Sequence, residues 1–147
     1  YRFDRFNVGF ETSDGRPVSL GLAYTGGTFY SGTRQDYWAE LQWRVSAHLF
    51  LGVEYEVNDV NLEEGDFISR IIRGRINFQF TPDLAWTNFI QYDNASESVG
   101  INSRVRWIVK PGSEVYFVLN QAVDREDNSF RVRRTELTTK AGWTLRF

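Results

Sequence analysis

Leu137-Thr138-Thr139-Lys140-Ala141-Gly142-Trp143-Thr144-Leu145-Arg146-Phe147 is the stretch whose reading decides the fold. Taken every second residue, Leu137, Thr139, Ala141, Trp143, Leu145 and Phe147 fall on one face, with Thr138, Lys140, Gly142, Thr144 and Arg146 on the other. Only an extended strand alternates its side chains with period two, and a strand that is greasy on one face and polar on the other separates two environments.

Outward from this stretch the same alternation recurs and predicts nine strands. Phe6, Val8 and Phe10 oppose Arg5, Asn7, Gly9 and Glu11; Val18, Leu20, Leu22 and Tyr24 oppose Ser19, Gly21, Ala23 and Thr25. Tyr37, Ala39, Leu41, Trp43 and Val45 oppose Trp38, Glu40, Gln42 and Arg44, and Leu49, Leu51, Val53, Tyr55 and Val57 oppose Phe50, Gly52, Glu54, Glu56 and Asn58. A fifth strand sets Ile68, Ile72, Gly74, Ile76, Phe78 and Phe80 against Ser69, Ile71, Arg73, Arg75, Asn77 and Gln79, with Arg70 breaking its greasy side. The seventh sets Val99, Ile101, Val105, Trp107 and Val109 against Gly100, Asn102, Arg104, Arg106 and Lys110. Phase stays open in the sixth, Leu84 to Asn94, where Phe89 and Ile90 are adjacent, and in the eighth, Glu114 to Val123. Turn chemistry separates the strands, including Ser13-Asp14-Gly15-Arg16, Thr81-Pro82-Asp83 and Pro111-Gly112-Ser113.

The expected fold is all-β, an antiparallel up-and-down transmembrane β-barrel segment over residues 1–147. A transmembrane helix needs roughly 20 consecutive apolar residues, and no such run occurs. The mean hydropathy of -0.42 does not exclude a barrel, because a lipid-facing strand is apolar only at alternate positions. Length bounds the chain to one domain. A net charge of -2 offers no basic field for nucleic acid, and the absence of cysteine removes disulfides and thiolate metal sites.

The polar face carries the charge. Glu40, Arg44, Glu54, Glu56, Arg73, Arg75, Arg104, Arg106 and Lys140 all oppose the greasy side, which predicts a charged lumen, since Arg or Lys facing lipid at the midplane costs ~2–4 kcal/mol each. Aromatic residues gather at strand ends, Trp43, Phe78, Phe80, Trp86, Trp107, Trp143 and Phe147 towards one rim and Tyr30, Tyr37, Tyr55 and Tyr92 towards the other, as interfacial girdles do. A soluble antiparallel barrel or sandwich is the competing reading of the same alternation. The links after strands four and eight, Asn61 to Asp66 and Asp124 to Ser129, read as longer and charged, the outward-facing loops; those after strands one, three, five and seven read as tight. Bacterial barrels have even strand numbers, so nine predicts at least one further strand upstream and the C-terminal part of a larger barrel. The chain has no Met at position 1 and no visible signal peptide, and reads as a mature or truncated product.

Candidate sites for chemistry are weaker. Ser46 and His48 suggest a hydrolase pair but share a short link with no evident third group or oxyanion hole. Asp59, Glu63, Glu64 and Asp66, and likewise Asp124, Glu126 and Asp127, offer oxygen ligands without EF-hand spacing. Arg73, Arg75, Arg104 and Arg106 form either an anion-favouring ladder or partners for Glu40, Glu54 and Glu56. No catalytic residue, cofactor or metal is assigned.

Two resemblances sharpen the expectation. Lys140, Gly142, Trp143, Leu145 and Phe147 resemble the C-terminal insertion signal of bacterial outer-membrane barrels, which implies recognition by the barrel-assembly machinery. Phe80-Thr81-Pro82-Asp83-Leu84, Phe89 to Asn94, Asn102 to Ile108 and Lys110 to Tyr116 resemble the C-terminal barrel region of large outer-membrane proteins that carry an N-terminal carbohydrate-binding family-9-like module. That likeness covers about the last half of the chain and implies a membrane domain of a larger envelope protein. The expected location is the bacterial outer membrane, and the expected partners are its lipid, the assembly machinery, and upstream strands or another envelope protein. The expected role is a non-enzymatic pore or transport conduit or anchor; a plugged structural barrel and, more distantly, an envelope hydrolase are the alternatives.

Overall fold

The computed structural model describes residues 3–126 and 129–144, so Leu145, Arg146 and Phe147 at the C-terminal stretch, and Asp127, lie outside the described residues. Nine strands follow one another: β1 (Arg5–Glu11), β2 (Val18–Phe29), β3 (Gly32–Arg44), β4 (Leu49–Leu62), β5 (Gly65–Thr81), β6 (Leu84–Asp93), β7 (Ser98–Lys110), β8 (Ser113–Glu126) and β9 (Ser129–Trp143). Each pairs antiparallel with the next, giving a single up-and-down sheet in sequence order. Among the described residues nothing pairs with the outer edge of β1 or β9, so the sheet is open rather than closed into a barrel.

The expected contrast between long and tight links is corrected by the structure. β4 and β5 stay paired through Leu62↔Gly65, so their link is only Glu63 and Glu64. The longest described link is instead Thr12 to Pro17, between β1 and β2. Its Thr12 N–H donates to the Leu20 carbonyl at 2.9 Å, while the Leu20 N–H donates to the Thr12 hydroxyl at 2.8 Å. Strand ladders run past the apolar stretches because backbone pairing needs no greasy face. The acidic segment thus becomes the tip of a β-hairpin.

Register fixes the two open phases. Ile90 pairs with Gly74 and Ile101, which puts it on the greasy face with Trp86 and Tyr92, while Phe89 pairs with Arg75 and Asn102 on the charged face. In β8, Val115, Phe117 and Leu119 take the greasy face and Tyr116, Val118 and Asn120 the other.

In β2 and β4 burial is inverted relative to a water-soluble sheet, whereas in β7 Arg104 and Arg106 are exposed and Val105 is half-buried. Val53 is 51 % exposed and Tyr55 39 %, whereas the side chains of Glu54 and Arg73 on the opposite face are only 29 % and 24 % exposed. In β2 the small residues Ser19 and Gly21 are buried between exposed Val18, Leu20 and Leu22. Among the described residues Val60 is the one buried apolar side chain. A nine-strand sheet without an apolar core leaves its hydrophobic face unpartnered.

Candidate functional site

Pairing places the charged residues together on one face. Glu40 pairs with Glu54, Glu54 with Arg73, and Arg73 with Gln91, forming a row across four strands. Arg104 pairs with Thr87 and Val118, and Arg106 with Ala85 and Tyr116, whose other partner is Lys140. Arg44 pairs with Phe50 on the same face. Arg73 Nη1 donates to Glu54 Oε1 at 2.5 Å and to Glu56 Oε2 at 3.0 Å, and Arg73 Nε donates to Gln91 Oε1 at 3.3 Å. Arg106 is bound by Glu114 at 3.2 Å. Arg75, Arg104 and Lys140 have no ion pair among the described residues. Pairing and ladder therefore coexist: two of the four arginines are neutralised and two are not. Beside Gln91 lies a groove of about 490 Å³, lined by Phe89, Gly100, Asn102 and Asn120.

The greasy face has a geometry that hydropathy alone does not reveal. Trp43 of β3 lies in a cross-strand row with Leu51, Ile76, Asn88, Ser103, Leu119 and Leu137. Trp86 of β6 is two residues beyond this row, Trp107 of β7 four, and Trp143 of β9 six. The tryptophans thus drift about one residue per strand towards the same end of the sheet.

The opposite margin drifts in step. Polar residues interrupt the greasy face on that side, Gln35 in β3, Arg70 in β5, Gln121 in β8 and Thr135 in β9, with Ile68 beyond Arg70 and the paired Val123 and Val132 beyond Gln121 and Thr135. Gln121 and Thr135 share a row with Leu41, six residues from Gln35. From these polar residues to the tryptophans the span is eight residues in both β3, Gln35 to Trp43, and β9, Thr135 to Trp143. With a strand rise of ~3.4 Å and a spacing of ~4.8 Å, a one-residue drift per strand inclines the strands by about 35° to the normal of the band. Eight residues at that incline make a band about 22 Å tall.

Measured against this band, the charges on the other face gather at mid-height. The midpoints in β3, β5, β7 and β9 are Ala39, Gly74, Ser103 and Thr139, and Glu40, Arg73, Arg75, Arg104 and Lys140 are their immediate neighbours. Sequence reasoning found the face of each charge; their common height needed the register.

The remaining sequence candidates find structural employment. Ser46 Oγ accepts the backbone N–H groups of His48 and Leu49, both at 3.1 Å, and His48 Nδ1 donates to the Gln79 carbonyl at 2.8 Å. Hydroxyl and imidazole thus hold the ends of two neighbouring links. Among the described residues no three acidic or His side chains converge as a metal site. Asp124 pairs with Arg133 at 2.8 Å and Glu126 with Arg131 at 3.7 Å. Of the C-terminal signal, Lys140, Gly142 and Trp143 lie in edge strand β9, with Trp143 71 % exposed. No protein-family model matches this sequence, and no curated protein matches it.

Proposed function

We propose that this chain is a wall segment of an outer-membrane β-barrel, serving as the membrane anchor or conduit of a larger envelope protein, with a non-enzymatic role. The observation that carries the reading is the diagonal apolar band. A drift of one residue per strand is what tilted strands need to keep lipid-facing residues at one depth. Its ~35° incline meets the ~35–45° tilt of outer-membrane strands, and its ~22 Å height approaches their ~25 Å apolar belt. A soluble sandwich has no reason to keep a band level across an inclined sheet.

Magnitudes favour the same orientation. In projection the greasy face spans on the order of 1,200 Å² from strand spacing and rise, against the ~300–600 Å² of the largest patch on a typical soluble monomer. Turning the sheet over would put Arg73, Arg75, Arg104 and Lys140 at mid-depth in lipid, at roughly 8–16 kcal/mol in all. That equals the whole stability of an ordinary domain, ~5–15 kcal/mol. The charged belt, in which Arg73, Arg75, Arg104 and Lys140 stand against Glu40, Glu54 and Glu56, then faces an aqueous or plugged interior.

Single cysteines test the reading. In vesicles, Leu51→Cys, Ile76→Cys and Val105→Cys are expected to react with lipid-phase probes, and Glu54→Cys, Arg75→Cys, Arg104→Cys and Lys140→Cys with water-borne reagents alone. Equal aqueous labelling of both sets would refute it.

A further inference from the structure

We infer that the outer edges of β1 and β9 are docking edges for a membrane β-segment of odd strand number, supplied from outside these 147 residues and different from this chain. The inference rests on the membrane reading above and adds the partner that reading leaves open. Bonds near the ends of the two edge ladders set the direction of every backbone group between them. Thr12 N–H donates to Leu20 O and Thr28 N–H to Asp4 O, both at 2.9 Å. Backbone direction alternates along an antiparallel pair, so Arg5, Asn7, Gly9 and Glu11 turn their N–H and C=O groups away from β2. At the other edge Thr144 N–H donates to Gly112 O at 2.6 Å. Thr135, Leu137, Thr139, Ala141 and Trp143 therefore turn theirs away from β8.

Both sets lie inside the apolar band. In β9 the outward-turned residues run from one margin, Thr135, to the other, Trp143. In β1 the drift puts the margins at Asp4 and Thr12, which bracket Arg5 to Glu11. In a bilayer no water reaches an edge at that depth, and sheets that span one survive only closed.

Parity selects the partner. β1 and β9 run in the same direction, so joining them to each other makes a parallel seam. A second copy inserted the same way up offers β1 to β9, again parallel. A second copy paired β9 to β9 makes an antiparallel seam only by standing upside down in the bilayer. An odd number of intervening strands gives antiparallel seams at both edges and the even total of bacterial barrels.

The test uses the 147-residue chain refolded alone in detergent, with and without a synthetic peptide of the β8 sequence Ser113 to Glu126, which pairs antiparallel with β9. Without peptide, the amides of Leu137, Thr139 and Ala141 are expected to exchange on the order of 100-fold faster than those of Thr138 and Lys140, and peptide is expected to slow them. A bis-maleimide is expected to give no intramolecular link in the Val8→Cys/Thr139→Cys variant and no dimer in Thr139→Cys. Protected edge amides without peptide, either cross-link, or an edge unmoved by saturating peptide would overturn the inference. Failure of the membrane reading is seen separately, as aqueous labelling of Leu51→Cys, Ile76→Cys and Val105→Cys.

Discussion

Asn88 stands on the greasy face among residues suited to lipid, 8 % exposed, with its Nδ2 unpartnered. Its cross-strand neighbour Ser103 is taken by the Trp86 indole, which donates to Ser103 Oγ at 2.9 Å. A buried amide without a partner costs ~1–3 kcal/mol, so Asn88→Leu, similar in volume, is expected to stabilise the fold by about 1–2 kcal/mol in denaturant titrations; a loss of stability would show that the amide is satisfied in the assembled protein. Arg73 is the opposite case. Its contacts with Glu54 and Glu56 are partly screened, between exposed pairs worth ~0.2–1 kcal/mol and buried ones whose breakage costs ~3–5 kcal/mol. Arg73→Met is therefore expected to cost about 1–2 kcal/mol, with coupling to Glu54→Gln in a double-mutant cycle, whereas Arg75→Met stays within about 0.5 kcal/mol. Equal effects of the two arginines would deny Arg73 its special place. Alternation along the sequence put both arginines on one face, but could not say which one meets the glutamates. That depends on the Glu54↔Arg73 register, a relation between strands that periodicity within each does not contain.

At the scale of elements, all nine strands were legible in the sequence, though in β6 and β8 the greasy face itself emerged only from the register. The sequence failed at strand ends. β3 begins at Gly32, well before the first greasy alternation at Tyr37, and β4 and β5 continue to Leu62 and Gly65 through polar residues. Hydropathy reports what side chains face, whereas hydrogen bonding holds the ladder together. The extended β4–β5 hairpin is tied to the β2–β3 link by the Ser31 hydroxyl, which donates to Glu64 Oε2 at 2.5 Å. That bond, followed by one to the Glu64 backbone, holds the Glu64 carboxyl below its ordinary value. A carboxyl whose folded pKa is lowered contributes its stabilisation above the unfolded value and loses it as pH falls through the folded one. Acidification below the ordinary carboxylate range is thus expected to release the Ser31–Glu64 tie, and Ser31→Ala to return the Glu64 titration, followed by NMR, towards its ordinary value. An unchanged titration in Ser31→Ala would remove the hydroxyl as the cause.

At the scale of the molecule, alternation predicted a two-faced sheet, and the structure adds the incline that gives the greasy face a level band. The drift was hidden in the sequence because Trp43, Trp86, Trp107 and Trp143 are related only through the register of six successive strand pairs. The two natural tryptophans at the extremes of that drift supply the most direct test. In single-tryptophan variants reconstituted with lipids brominated at successive acyl positions, Trp43 and Trp143 are expected to be quenched with the same depth profile, near one interface. Trp38, on the charged face beside Glu56, is expected to escape quenching. If the strands stood upright, six residues of drift would separate Trp43 from Trp143 by ~20 Å in depth. Profiles that far apart, or no quenching of either, would contradict an inclined sheet with its greasy face in lipid.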